Sequence, residues 1–261
     1  QERTIIQPMI QKIETHTTLN IIMDIQGIIF DYGGTIDTDG VHWSEMIWEA
    51  YQAAGLSLSQ ATFRLAYVHG ERSLARFPLI QPHHTMLDLL RIKMQLQLSF
   101  LMDAELDGKQ LTKDNIDPLA EQLAQWCYRY VLRVLEGSRQ VLAWCAQRFP
   151  LALVSNFYGN IQTVLRDFRL DTFFQTVVES SVVGVRKPNP RIFQLGVEAL
   201  GLQPHEVLVV GDSYSKDILP ATALGCPTVW IRGRGWNDET LDESVPTATV
   251  TSINELTRLS F

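Results

Sequence analysis

Apolar positions recur along this chain in two different rhythms. From about residue 41 to 135 they return every three or four residues: Trp43, Met46, Ile47, Ala50 and Tyr51; Met86, Leu89, Leu90 and Met94; Leu123, Trp126, Cys127, Tyr130, Val131 and Val134. That spacing buries one face of a helix, and no strand-like run interrupts it. Beyond Glu136-Gly137 the texture changes. A helix over 138–147 leads into the apolar run Leu151-Ala152-Leu153-Val154. A helix carrying Ile161, Val164, Leu165 and Phe168 follows, then a short strand at 176–178. Lys187-Pro188-Asn189-Pro190 opens a helix over 192–200 that Gly201 stops, and Val207-Leu208-Val209-Val210 comes next. Two last strands, 228–231 and 247–250, precede a closing helix over 253–259. Short apolar runs separated by helices predict an α/β fold, a doubly wound parallel sheet whose ligands sit beyond the carboxyl ends of the strands.

The sheet's first strand comes much earlier, in Gly27-Ile28-Ile29-Phe30-Asp31-Tyr32-Gly33-Gly34-Thr35-Ile36-Asp37. A buried strand there would deliver Asp31 to a ligand, and the two glycines would let the following backbone curl around an anion. The alternative is a strand followed by an ordinary glycine-rich turn. Ser155 and Asp212 end two later apolar runs in the same way as Asp31 ends this one. The domain reading follows: an α/β core over 23–40 and 136–261, and an inserted helical cap over 41–135. Its loops fall at Pro78, Pro82 and the polar stretch 103–117. Residues 1–22 read as an N-terminal extension ahead of a native start at Met23.

Composition narrows the function. The net charge of −7 and pI near 5.4 exclude a nucleic-acid surface, which needs clustered Lys and Arg. Three widely spaced cysteines, Cys127, Cys145 and Cys226, have no metal-ligand pattern and suit free thiols in a reducing compartment. No apolar run reaches the roughly 20 residues of a membrane span and no signal-peptide segment is present, so the expected location is the cytoplasm, with no membrane partner. Oligomeric state is not legible.

Assembled in order, these residues resemble the haloacid dehalogenase-like (HAD) hydrolase superfamily over nearly everything after Met23. Phe30-Asp31 through Thr35 resembles its first motif and Val154-Ser155-Asn156 its second. Arg186 through Pro190 resembles the third, and Gly211-Asp212-Ser213 through Asp217 the fourth. The helical insertion is similar to the family's C1 cap. The resemblance implies a Mg²⁺-dependent phosphohydrolase acting on a small phosphorylated metabolite. Asp31 would attack phosphorus to form an aspartyl phosphate. Mg²⁺ would be held by Asp31, the Gly33 carbonyl and Asp212, with Asp217 in support. Lys187 would neutralise phosphoryl oxygens, while Ser155 and the amides near Gly34 and Asn156 would bind the others. Thr35 would brace the loop.

One departure stands out. Phosphatases of the family carry a second Asp two residues after the nucleophile as general acid and base, and here that position is Gly33. Such help is worth typically 10²–10⁴-fold, so turnover is expected to be slow or the proton to come from elsewhere. Asp37, Asp39, His42, His69 and Arg72 are the candidates; Asp37 and Asp39 read first as turn formers. His83-His84 reads as a solvated loop, Trp43, Trp48 and Trp126 as core anchors, and Arg232, Arg234 and Trp236 as a surface turn. Phosphonatase-like members use an early cap lysine, and no lysine lies between 13 and 92. A metal-free dehalogenase does not suit Asp212 and Asp217, and a phosphomutase needs the missing acid. The rival reading is a catalytically weak relative that binds a phosphorylated ligand or partner.

Overall fold

The structure is a computed structural model that describes residues 24–106, 110–235 and 241–260. The six strands are β1 (Gly27–Phe30), β2 (Leu151–Ser155), β3 (Thr176–Glu179), β4 (Val207–Gly211), β5 (Thr228–Ile231) and β6 (Ala248–Val250). They form one sheet in the order β3-β2-β1-β4-β5-β6, each neighbour parallel. β1, β2, β4 and β5 are buried along their whole lengths. This is the burial that a parallel sheet covered on both faces requires. β1 lies at the centre, flanked by β2 and β4, so the residues after these three strands converge at one edge.

Helices α1 (Trp43–Ala53), α2 (Gln60–Arg76) and α3 (Met86–Asp103) are inserted between β1 and β2, together with α4 (Lys113–Ala146). The later helices are α5 (Ile161–Asp167), α6 (Ser180–Val183), α7 (Arg191–Leu200) and α8 (Leu219–Leu224). α7 packs its Ile192, Phe193 and Val197 beneath Ile29, Val154 and Val209 on one face of the sheet. The other face, with Ile28, Phe30 and Leu153, joins a second core that continues through α4 into the inserted helices.

Three expectations are corrected. The helical run from Leu123 to Val134 and the helix expected over 138–147 belong to a single helix of 34 residues, α4, roughly 50 Å long at 1.5 Å per residue. Gly137 is no break. A Cβ there would lie 3.2 Å from the Asn254 side chain, so the glycine permits close approach of the C-terminal turn. α4 starts at Lys113 behind a Thr112–Asn115 capping box, inside the stretch read as a loop. The closing helix is a 3₁₀ turn, Ile253–Arg258. The extension over 1–22, Met23 and Trp236 lie outside the described residues. Among the described residues, no helix is long and apolar enough to cross a membrane.

Ile29 is fully buried, and its Cδ1 lies 2.9 Å from where a Cβ on Gly196 of α7 would stand. Ile29→Ala should cost about 2–5 kcal/mol of stability by leaving a cavity under the central strand. Urea unfolding with unchanged slope is the check.

Candidate active site

β1 ends on Asp31, whose N–H still donates to the Val210 carbonyl at 2.9 Å and holds the residue in line with the sheet. The chain then turns sharply, because the Tyr32 carbonyl accepts the N–H groups of Thr35, Ile36 and Asp37. Gly34 has φ +96°, and a Cβ on it would lie 2.3 Å from Asp212 Oδ2, so only glycine lets this loop and the end of β4 approach. Gly211 serves the same end, since its Cβ would meet that of Asp217 at 2.5 Å. Thr35 Oγ1 donates to Asp212 at 3.1 Å and reaches Asp31 at 3.4 Å. Asp217, fully buried in a π-helical turn, accepts the Ser213 N–H at 3.0 Å.

Lys187 closes the arrangement. Its Nζ lies 2.5 Å from Asp31 Oδ1 and 2.7 Å from Asp217 Oδ1, and all three side chains are buried. Oxygens of Asp31, Asp212 and Asp217 lie within 4.8 Å of one another. Burial, offset in part by Lys187, leaves Asp31 raised to about 6. Burial and the charges of Asp31 and Asp217 push Asp212 well above the usual carboxylate range. Burial would lower Lys187, but Asp217 and Asp31 more than offset it and hold the ammonium charged. Three carboxyl groups share one ammonium, and the raised Asp31 and Asp212 mark an excess of negative charge in an all-oxygen cluster, which fits a hard divalent cation.

The haloacid dehalogenase-like hydrolase family model matches residues 25–225. The chain belongs to this family. It is similar to "Haloacid dehalogenase-like hydrolase domain-containing protein 3" of mouse, 34% identical over 131 residues (49% of this chain and 52% of that protein). The bovine counterpart is 30% identical over 195 residues, 73% of each chain. Glyceraldehyde 3-phosphate phosphatase of Pyrococcus abyssi is 34% identical over 104 residues, 39% of this chain and 43% of that one. The match thus spans about half the length of the mouse relative and less of the archaeal one. In fold, the chain resembles the putative HAD-hydrolase YfnB from Bacillus subtilis bound to magnesium. The TM-score is 0.54 at 18% identity, over 90% of this chain and 97% of that one.

In this HAD-like hydrolase, Asp31, Lys187, Thr35, Asp212 and Asp217 come together as the motifs imply. Ser155 is buried at the end of β2. The Asn156 side-chain amide exchanges two hydrogen bonds with the Lys187 backbone, at 2.9 and 3.1 Å, and so sets the lysine's position. The Gly34 N–H, expected to bind a phosphoryl oxygen, donates to Asp37 Oδ1 at 2.8 Å.

The inserted helices add residues that the motifs do not mark. Trp43, read as a core anchor, donates its indole N–H to Asp37 Oδ2 at 2.8 Å. Lys93 of α3, with 1% exposure, lies 4.4 Å above the Trp43 ring and pairs with Glu71 of α2 at 2.6 Å. Tyr158, in the loop after β2, accepts from Lys93 at 2.9 Å and donates to Glu71 at 2.7 Å. The family's early cap lysine is missing from the sequence near Glu71, yet α3 brings an ammonium to that very side chain. The signal was there: Lys93 stands among Leu89, Leu90, Met94 and Gln97 on the buried face of α3. His42 caps α1, and its burial lowers its pKa to about 4. Asp39 accepts from Ser252 and Ile253 in the C-terminal turn. His69 stacks on Phe100. His84 accepts from Gln81 in a surface turn, while Arg232 and Arg234 form exposed ion pairs with Glu243 and Glu49.

Gly34→Ala should displace Asp212 and weaken divalent-cation binding by about 10–100-fold, the scale for disturbed supporting groups. Calorimetric titration with Mg²⁺ measures it.

Proposed function

We propose that this HAD-like hydrolase is a Mg²⁺-dependent phosphohydrolase acting on a small phosphorylated metabolite. The observation that carries the reading is the cluster of Asp31, Asp217 and the half-buried Asp212, the first two paired with the Lys187 ammonium. Asp31, Asp212 and the Gly33 carbonyl would hold Mg²⁺, supported by Asp217; the ion would supply charge neutralisation where an anionic carboxylate attacks an anionic ester. Asp31 Oδ would bond to phosphorus while the ester P–O bond breaks, and water would then release phosphate from the aspartyl phosphate. Lys187 orients Asp31 and offers its charge to the phosphoryl oxygens. The Ser155 hydroxyl and the backbone near Asn156 lie at the end of β2 beside it and would bind the same group. The similarity to glyceraldehyde 3-phosphate phosphatase supports a small phosphorylated substrate. Three buried free thiols, Cys127, Cys145 and Cys226, support a reducing, cytoplasmic setting.

Gly33 favours a second reading, a relative that binds a phosphorylated ligand without useful turnover. Steady-state hydrolysis of 4-nitrophenyl phosphate, whose good leaving group needs little acid assistance, decides between the two. Turnover should require Mg²⁺ and fall on the order of 10³-fold or more in Asp31→Asn. No turnover by a protein that still binds Mg²⁺ would turn the assignment to the binding role.

A further inference from the structure

Gly33 lacks the carboxylate, but the space that carboxylate would occupy is furnished from elsewhere. Among the described residues, a Cβ built on Gly33 meets one atom beyond its chain neighbours within 4 Å, the Trp43 indole nitrogen at 3.8 Å. That nitrogen donates to Asp37 Oδ2 at 2.8 Å. The atom that a residue-33 side chain would meet is thus the one already bonded to the Asp37 carboxylate. It is completely buried, although it lies in a loop. Bracing the turn takes one oxygen, Oδ1, on the Gly34 N–H at 2.8 Å with the Thr38 hydroxyl at 3.3 Å. The other oxygen, Oδ2, accepts only from the Trp43 indole among the hydrogen bonds described.

The geometry points to Asp37 as the proton donor and acceptor of this hydrolase, acting from the loop in place of the carboxylate missing at position 33. This rests on the phosphohydrolase reading. In the first step Asp31 Oδ bonds to phosphorus, the ester P–O bond breaks, and the Asp37 carboxyl passes its proton to the departing alkoxide, giving the alcohol and an Asp37 carboxylate. In the second, that carboxylate takes a proton from water as the water oxygen bonds to phosphorus. The bond to Asp31 breaks, phosphate leaves, and both carboxyl groups return to their starting states. Burial, opposed by the N–H groups of Gly34 and Trp43 and reinforced by the charge of Asp31, raises Asp37 to about 7, a value suited to giving and taking a proton near neutrality.

The test is the leaving-group dependence of kcat/KM over 4-nitrophenyl, phenyl and simple alkyl phosphates, with saturating Mg²⁺. The wild type should show a shallow dependence. D37N should lose about 10²–10⁴-fold on alkyl phosphates and less than about tenfold on 4-nitrophenyl phosphate. It should also release one equivalent of nitrophenol in a burst, because the second step has lost its base. G33D added to D37N should restore alkyl turnover, since position 33 has room for the side chain. The amide of D37N would aim an N–H at the Trp43 N–H, so W43F against W43F/D37N repeats the comparison without that clash. Equal loss on all substrates, no loss on any, or a steep wild-type dependence would overturn the role of Asp37. Absence of any wild-type turnover would instead defeat the phosphohydrolase reading itself.

Discussion

The Lys187 ammonium is the contact on which the rest of this structure depends. Three carboxyl groups held within 4.8 Å of one another beside two strand ends need a cation among them, and Lys187 touches two of the three. Removing one partner of such a buried pair costs about 3–5 kcal/mol, because the charge left behind has no water. The surrounding backbone is arranged to keep the ammonium there. Asn156 grips the lysine's own N–H and carbonyl from the end of β2, and the Phe193 ring lies 5.3 Å beneath the charge. One motif thus positions another, and the charge that Lys187 leaves uncancelled defines what the cleft can accept.

The inserted helices meet this cleft through contacts of a different strength. Glu71 and Lys93 belong to α2 and α3, so their buried ion pair is internal to the insertion. Burial pushes Glu71 up, but Lys93 overrides it and holds the carboxylate below its usual range. What reaches across to the sheet layer on this side are hydrogen bonds: Tyr158 to that pair, Asn160 to the His84 carbonyl and Thr163 to the Pro82 carbonyl. The neutral bonds of Asn160 and Thr163 are worth about 0.5–1.5 kcal/mol each, and those of Tyr158 to its charged partners about 1.5–3. α4 is the rigid join, its Ser138 hydroxyl donating to the Ile36 carbonyl at 2.7 Å in the loop after Asp31. The insertion is therefore joined to the sheet layer at two places, along α4 and through the charged pair that Tyr158 bonds.

The strands and the charged centre were legible in the sequence because each rests on a local pattern. A four-residue apolar run ending on a carboxylate announces β1 and Asp31, and Val207 to Asp212 repeats the signal. The residues that were not legible act across long separations. Gly137 reads as a helix stop until Asn254 is seen packed on it, and the partners of Lys93, Glu71 and Tyr158, come from α2 and the loop after β2. The motif marks Asn156 but not that its side-chain amide matches the Lys187 backbone 31 residues away. Period and propensity carry no record of such pairings.

The two adjacent glycines show how differently one residue type can be required. Gly34 is fixed by sterics: its φ is positive, and Asp212 occupies the place of any Cβ. Gly33 meets no such demand. It is absent from the left-handed glycines, and the space beside it is open as far as the Trp43 nitrogen. The fold would admit a side chain at 33, so its absence is a matter of chemistry, and the indole N–H that would have met that side chain is already satisfied by Asp37. A carboxylate at both 33 and 37 would crowd two acceptors around one donor beside the charge of Asp31. Holding a single buried carboxylate there avoids that repulsion, and it ties the proton-carrying group to Trp43, the first residue of the inserted helices.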